Sequence, residues 1–411
     1  MARDTLEDVL AQIEDREGEM VESLAELISI PAIAPESGGN GEWDKSIFIE
    51  ELFKKSGCSH IEHIDSKDQR VPGGKRPNLV GWWNGTISKR LIVVLHTDVV
   101  PPGDLEEWNG DPFKAEVREG KVYGRGTEDN GQSLITSVYA LRALKEMEMT
   151  PELTVGILAV SDEEVGSGKG IEHLIAQGFF KENDLILIPD HGTPDGRLVE
   201  ITEKGLGWIK VITRGKQCHA SMPDLGKNAF KAAMRYGTLA CDTFRQEFSS
   251  RDRLFDRPFS TLEPTKKEAN IPNINTIPGE DVFYFDCRLL PEYNFDQVMH
   301  VLRRAANTAE EEEGVQITLE FEHRDDAAPP TPESSELVVR LLDAIKEIRD
   351  NDPYPGGIGG NTFGAVVRKA GYHAVVWETT DNMAHASNEY CKVENIVSDC
   401  KVLAALFLGQ H

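Results

Sequence analysis

The segment LTVGILAVSDEE, residues 153–164, contains the pattern that decides the fold: an eight-residue apolar run followed directly by polar and acidic residues. Three further short apolar runs are LIVVL (91–95), LILI (185–188) and AVVW (374–377). Runs of this length, rich in β-branched residues, are typical of parallel strands that are buried on both faces. They predict an α/β domain with a mostly parallel central sheet flanked by helices.

Helical periodicity appears in three segments, residues 6–28, 132–147 and 335–349. In the first, apolar residues recur at spacings of three and four, which predicts one amphipathic helix that ends before Pro31. The other two segments alternate with the apolar runs. This alternation is the order expected for parallel strands joined by crossover helices.

The pattern changes between about residues 205 and 323, where the strand candidates alternate between apolar and polar residues. VQITLEF (315–321) alternates strictly, as expected for a sheet with one covered face. The predicted elements in this region are strand 207–214, helix 227–246, strands 272–277 and 281–289, helix 295–312 and strand 315–322. This order is the β-α-β-β-α-β pattern of a ferredoxin-like unit. We therefore predict an inserted α+β domain, residues 205–325, within a discontinuous α/β domain of residues 1–204 and 326–411.

Composition excludes several classes of function. The chain has 44 basic and 70 acidic residues, a formal net charge of −26, so no nucleic-acid partner is expected. Its apolar runs are shorter than the roughly 18 to 20 residues of a membrane span, and no membrane partner is expected either. The N-terminal segment has no export signal, and the six cysteines include no CxxC pair. We expect a cytoplasmic protein with reduced cysteines.

Chemically active side chains follow the apolar runs at the point where each predicted strand ends. Ligands of open α/β sheets bind outside the carboxyl ends of the strands, so these side chains are expected to converge. The residues are His96 and Asp98, Glu163 and Glu164, Asp190, and His385. Asp129 lies just ahead of the predicted helix 132–147, where its carboxylate can face the same crevice. Two imidazoles and several carboxylates in one place suit a site for two divalent cations.

Each of these residues also has a simpler interpretation when it is taken alone. An isolated His-x-Asp sequence is common by chance, but in an extended segment His96 and Asp98 point the same way, so Asp98 can hold the other ring nitrogen of a metal-bound His96. Adjacent acids are usually part of a solvated face, yet Glu163 and Glu164 directly follow an apolar strand, so one carboxylate can bind a metal and the other can act on water.

The segment EVGSGKG (164–170) lacks the spacing of a phosphate-binding loop, which excludes an NTPase.

Several motifs occur together in a fixed order along nearly the whole chain. They are LHTDVVPPGD (95–104), YGRGTEDNGQ (123–132), SDEEVGSGKG (161–170), CHASMPDLGKNAF (218–230) and MAHASNEY (383–390). With these motifs the chain resembles the dinuclear zinc amidohydrolases and peptidases that include succinyl-diaminopimelate desuccinylase, acetylornithine deacetylase, aminoacylase-1 and carboxypeptidase G. The resemblance implies a catalytic α/β domain interrupted by a lid or dimerisation domain.

The resemblance also implies a metal centre with two zinc ions per subunit, with cobalt or manganese as alternatives. His96 and Asp190 would bind one ion, Glu164 and His385 would bind the other, and Asp129 would bridge the two. In the family, a cis peptide bond often follows the bridging aspartate, here between Asp129 and Asn130.

The remaining roles implied by the resemblance belong to catalysis and substrate binding. Glu163 would be the general base, Asp98 would orient His96, and His219 would stabilise the oxyanion, in the family often across a dimer. Asn275 and Arg288 would hold the substrate carboxylate. Gly360 and Asn361, in a loop GGIGGNTFG (356–364) that departs from the usual family pattern, would lie on the substrate side.

The predicted function is metal-dependent hydrolysis of the amide bond of N-acyl amino acids by a homodimeric enzyme. A dipeptidase, carboxypeptidase or aminopeptidase on the same scaffold is the nearest alternative. A non-catalytic, metal-binding dimeric interaction protein is the alternative from a different class.

Overall fold

The computed structural model describes residues 2–360 and 362–409. Its helices are α1 (Ala2–Asp15), α2 (Glu17–Ile28), α3 (Trp43–Lys55), α4 (Gln132–Glu146), α5 (Ile171–Ala176), α6 (Ala229–Glu247), α7 (Phe295–Glu313), α8 (Glu336–Arg349), α9 (Phe363–Lys369) and α10 (Val393–Leu408). Its strands are β1 (His60–His63), β2 (Ser66–Lys67), β3 (Lys75–Arg76), β4 (Leu79–Trp83), β5 (Ile87–His96), β6 (Glu116–Arg118), β7 (Lys121–Tyr123), β8 (Leu153–Val160), β9 (Leu185–Gly192), β10 (Leu198–Glu203), β11 (Gly205–Arg214), β12 (Cys218–His219), β13 (Thr261–Lys267), β14 (Thr276–Ile277), β15 (Glu280–Leu289), β16 (Gln316–Asp325), β17 (Tyr354–Ile358), β18 (Ala374–Glu378) and β19 (Tyr390–Lys392).

The contacts divide the chain into two compact units. The first unit comprises Met1–Ile201, Thr331–Pro355 and Thr362–His411. The second comprises Thr202–Pro330 together with the short segment Gly356–Asn361.

The largest sheet has eight strands in the order β1-β4-β8-β5-β9-β18-β10-β17. Its four central strands, β8, β5, β9 and β18, are parallel to one another, which confirms the interpretation of the solid apolar runs. The pairings β1-β4, β4-β8 and β10-β18 are antiparallel, so the complete sheet is mixed. The parallel centre brings the carboxyl ends of β5, β8 and β9 to one edge of the sheet.

Helices pack against both faces of the central strands. On one face, Ile92, Val94 and Val376 form a buried cluster with apolar side chains of α5 and α9. Because successive strand residues point to opposite faces, their equally buried neighbours, such as Val93, face α4, α8 and α10. Burial on both faces explains why the runs 91–95, 185–188 and 374–377 within these strands are wholly apolar.

The N-terminal segment contains two helices, α1 and α2, where the periodicity predicts one. The helix is interrupted at Arg16, whose φ of −102° and ψ of 9° are not helical. Gly18, two residues later, has low helix propensity and makes a break here inexpensive. The apolar residues of the stripe are nevertheless buried in both helices.

The second unit contains a four-stranded antiparallel sheet in the order β13-β15-β11-β16, which is the strand order of a ferredoxin-like fold. In chain order, the second strand of this sheet is Thr261–Lys267, and the predicted strand 272–277 is wrong. Only Thr276–Ile277 of that segment is extended, and it pairs with Cys218–His219 in a separate ribbon. The edge strand β13 contains Pro264 and two lysines, so it has no apolar pattern that would predict a strand.

None of the described helices combines the length and the apolar character needed to cross a membrane.

Candidate metal centre

The first group of candidate ligands lies at the carboxyl edge of the parallel strands. His96 is the last residue of β5, and its Nε2 atom lies 2.7 Å from Asp129 Oδ1 and 3.3 Å from Asp190 Oδ1. Asp190 lies within β9, because that strand continues to Gly192. The imidazole and the two carboxylates therefore face one another, as the strand ends predict.

The second group shares Asp129 with the first. Nε2 of His385 lies 3.3 Å from Asp129 Oδ2 and 2.9 Å from Glu164 Oε2. In each group the potential ligand atoms lie within 4.8 Å of one another. Since Asp129 presents one oxygen to each group, its carboxylate has the arrangement required of a bridge between two ions.

The turn that presents Asp129 depends on close backbone packing. The peptide bond between Asp129 and Asn130 is cis, as the resemblance implies. Gly126 has a φ of +84°, and a Cβ atom there would lie 2.6 Å from Cγ1 of Val99. The Asn130 amide donates hydrogen bonds to the Pro189 carbonyl (2.6 Å) and to Asp190 Oδ1 (3.3 Å). The turn thus also holds Asp190 in place.

Asp98 contacts His96 and also the turn that carries the two glutamates. Nδ1 of His96 bonds to the backbone carbonyl of Asp98 at 2.9 Å, and the Asp98 carboxylate lies farther away, at 3.7 Å. That carboxylate, fully buried, accepts the backbone N–H groups of Glu163 and Glu164, each at 3.1 Å. Asp98 therefore fixes the turn that carries the two glutamates, while its backbone fixes the imidazole.

The two adjacent glutamates have raised proton affinity. Burial raises the pKa of Glu163 well above its usual range, and the charge of Asp190 raises it further. Burial also raises the pKa of Glu164, although the hydrogen bond from His385 opposes this rise. A carboxylate with a raised pKa is suited to accept a proton near neutral pH.

The two imidazoles are surrounded by negative charge. Hydrogen bonds to Asp129 and Glu164 raise the pKa of His385 to about 10. Burial alone would lower the pKa of His96, but Asp129 and then Asp190 raise it well above its usual range. Carboxylates that stabilise two imidazolium ions would equally stabilise cations bound to the neutral rings. Imidazole nitrogen and carboxylate oxygen are also the donor types that zinc accepts, so the residues fit a divalent metal.

In the second unit, His219 and Asn275 are neighbours. His219 pairs with Thr276 in the ribbon formed by β12 and β14, and Asn275 precedes that pair. Nδ1 of His219 accepts the backbone N–H of Ser221 at 3.2 Å and lies 2.8 Å from the Ser221 hydroxyl, so Nε2 is the ring nitrogen that can donate to a ligand. An exposed N–H on His219 is the group that an oxyanion donor requires.

Arg288 is the other predicted substrate-binding residue of the second unit. Its Nε donates to Asp286 Oδ1 at 2.9 Å, and its Nη1 donates to the Gly359 carbonyl at 2.6 Å. These bonds place Arg288 beside the segment that contains Gly360. Asn361 lies outside the described residues.

The comparison with family models is decisive for the classification. The model for "Peptidase family M20/M25/M40" matches residues 92–409, which is more than half of the chain. The chain belongs to this family.

The relatives of this chain agree with the family assignment. The chain is 36% identical over 407 residues to an uncharacterized metallohydrolase of Methanococcus maripaludis, with 93% of this chain and 97% of the relative covered. It is 26% identical over 383 residues to the succinyl-diaminopimelate desuccinylase of Hahella chejuensis, with 92% and 93% covered. These findings support an enzyme, as predicted, over the non-catalytic alternative.

Solved structures show that the family fold extends to peptidases. Human carnosine dipeptidase 1 aligns with a TM-score of 0.73 at 18% identity, covering 98% of both chains. The dipeptidase Dug1p of Saccharomyces cerevisiae aligns with a TM-score of 0.72, also at 18% identity and 98% coverage of both chains. At this identity the likeness concerns the fold alone. The chain is a hydrolase of the metallopeptidase and amidohydrolase type.

Three buried charged residues beside the metal centre were missed by the sequence analysis. Lys45 is 4% exposed, and burial lowers its pKa while the negative charge of Asp98 opposes this lowering. Glu128 and Glu389 are 2% and 0% exposed, and Glu389 accepts the backbone N–H of Asp129. Glu128 adjoins Asp129 and Glu389 stands four residues after His385, so both lie inside the quoted motifs. That proximity was the available signal. Lys45 has no such signal, because it lies on α3, far from the motifs in sequence.

Proposed function

We propose that the chain is a zinc-dependent amidohydrolase that cleaves the amide bond of N-acyl amino acids. The observation that carries this proposal is the carboxylate of Asp129, which lies between the His96–Asp190 group and the Glu164–His385 group. Cobalt or manganese would satisfy the same donors.

The roles of the side chains follow from their positions. Two divalent cations at this site would lower the pKa of a shared water toward neutrality and polarise the amide carbonyl. Glu163, held by Asp98, would accept the proton of the attacking water and return it to the leaving nitrogen. Nε2–H of His219 would donate to the oxyanion, and Arg288 with Asn275 would bind the substrate carboxylate.

The comparisons support an acyl amino acid over a dipeptide only in part. The desuccinylase relative is more similar in sequence than either dipeptidase, at 26% against 18% identity. A dipeptidase, carboxypeptidase or aminopeptidase is therefore the second candidate, and the shared fold of the two dipeptidases favours it. Both substrate classes contain a carboxylate that Arg288 would recognise.

The dimeric state and the location remain part of the proposal. Apolar side chains that would suit a subunit interface are exposed on the second unit: Met222, Leu225, Phe230, Met234 and Ile274. Ile274 is fully exposed, which is costly for an isoleucine in water. The six cysteines, all within the described residues, form no disulfide, which suits the proposed cytoplasmic location.

The proposal is tested by removing and restoring metal before a substrate screen. Protein dialysed against chelator would be reloaded with zinc, cobalt or manganese and assayed with acetyl-ornithine, acetyl-lysine, succinyl-diaminopimelate and a dipeptide panel. We expect released amine from one acyl amino acid only after metal is restored, with Glu163→Gln as an inactive variant that still binds metal. Hydrolysis of dipeptides alone would assign the peptidase function, and metal-independent hydrolysis would refute the proposed mechanism.

A further inference from the structure

Two segments that are distant in sequence meet at the shared side of the metal centre. The turn 124–129 carries Asp129, and the loop 381–389 carries His385. The imidazole of His385 is 57% exposed, so packing alone does not fix its position. Its φ is +64°, in the left-handed region, which shows that the loop backbone has an irregular path that must be maintained by other contacts.

Glu389 attaches the loop to the turn. Its carboxylate is completely buried and accepts four hydrogen bonds. Oε1 accepts the backbone N–H groups of Glu128 (3.0 Å) and Asp129 (3.1 Å). Oε2 accepts the backbone N–H of Gly126 (2.9 Å) and the Arg125 guanidinium (2.7 Å). Both carboxylate oxygens are therefore acceptors, and three of the four hydrogen bonds come from backbone N–H groups of the turn.

Glu128 makes the reverse connection, from the turn to the loop. Its buried carboxylate accepts the backbone N–H of Asp381 at 2.6 Å and the backbone N–H of Met383. Arg125 adds a hydrogen bond to the carbonyl of His385 at 3.3 Å. Each segment thus contributes a buried carboxylate that binds the backbone of the other.

From this reciprocal arrangement we infer that Glu128 and Glu389 are positioning residues, which set the separation of Asp129 and His385 and thereby the affinity for the ion these two would share. The inference rests on the metal ligands assigned under the proposed function. His96 and Asp190 do not depend on the pair in the same way, because His96 is buried at the end of β5 and Asp190 is held by Asn130. The effect should therefore fall mainly on one of the two ions.

The test compares isosteric variants of this pair with a matched control. Glu389→Gln keeps the shape of the side chain but replaces one acceptor oxygen with an NH₂ group that faces backbone donors. Glu128→Gln does the same on the opposite side. Asp184→Asn is the control, because Asp184 is also a buried carboxylate, paired with Arg90 and the backbone N–H of Lys181, but it lies immediately before β9. Metal content would be measured by equilibrium dialysis of the full chain against Zn²⁺, with folding followed by circular dichroism.

We expect wild type and Asp184→Asn to bind two zinc ions. Each glutamine variant should keep one ion and bind the second about 10- to 100-fold more weakly, the loss typical of groups that orient metal ligands. Two ions bound with unchanged affinity in a folded Glu389→Gln or Glu128→Gln protein would overturn the inference. If Glu389→Gln does not fold, Glu128→Gln, which removes fewer contacts, decides the matter. Because the readout is metal binding, a wild type that binds two ions but hydrolyses no amide would refute the proposed function and leave this inference standing.

Discussion

Replacement of Asp98 by asparagine tests whether its carboxylate acts mainly on the backbone of Glu163 and Glu164 or on His96. The buried carboxylate accepts two backbone N–H groups, from Glu163 and Glu164, each at 3.1 Å. A hydrogen bond to a charged group contributes about 1.5–3 kcal/mol, and asparagine keeps only one acceptor oxygen for the two donors. The expected loss is therefore about 1.5–3 kcal/mol, which corresponds to about 10- to 150-fold in a rate or binding constant.

This loss should appear in catalysis and not in the ion at His96. The imidazole of His96 bonds to the backbone carbonyl of Asp98, which the substitution leaves in place. We expect kcat/KM of the zinc-loaded enzyme to fall about 10- to 150-fold, while equilibrium dialysis shows at least one zinc ion bound with wild-type affinity. Asp104→Asn is the control, since Asp104 caps an exposed turn by accepting the N–H of Glu106. Weaker binding of both zinc ions, with normal turnover per bound ion, would show that the carboxylate acts mainly on His96 and would refute this prediction.

Three further predictions concern Arg76, Lys45 and His219. Arg76 is completely buried against Glu42 and lies 3.2 Å from Asp162, so Arg76→Met should lower the free energy of unfolding by about 3–5 kcal/mol in urea titrations, and a change below about 1 kcal/mol would contradict this. Burial lowers the pKa of Lys45 from 10.5 to about 8, so between pH 8 and 10.5 the unfolded chain binds more protons than the folded chain. Over this range the stability of the wild type should therefore rise by up to about 3 kcal/mol relative to Lys45→Met. Parallel curves of unfolding free energy against pH for the two proteins would refute this prediction. His219→Ala should lower kcat about 100- to 1,000-fold at unchanged zinc content, as expected for the loss of one oxyanion donor, and a normal kcat would exclude that role.

The central sheet was predictable because its strands are buried on both faces. The run 153–160 coincides with β8, and residues 316–321 of the alternating run lie within β16. The strand Thr261–Lys267 was not predictable by the same reasoning, since an edge strand needs no apolar face and this one contains Pro264. At that position the ladder shifts register between Pro264 and Lys266, so the proline is accommodated by an irregularity that local sequence does not reveal.

The candidate ligands were predictable for a different reason, namely that strand ends converge in an open α/β sheet. The orientation of Asp98 was predictable only toward His96: its carboxylate lies 3.7 Å from Nδ1 of that residue, as expected for two residues on one side of an extended segment. Its hydrogen bonds to the backbone N–H groups of Glu163 and Glu164 were not predictable, because these donors lie about 65 positions later in the chain.

The hardest distinction lies among the acids themselves. With 70 acidic residues and a net charge of −26, an aspartate or glutamate in this sequence is by default a solvated surface group. Glu389 is buried because it binds residues about 260 positions earlier in the chain, and Glu128 because it binds residues about 250 positions later. No local pattern encodes such a pairing, because the stabilising partners are backbone N–H groups that every sequence supplies. A neighbouring ligand in sequence, as Asp129 is to Glu128, is therefore a better guide to a buried structural acid than the surrounding composition.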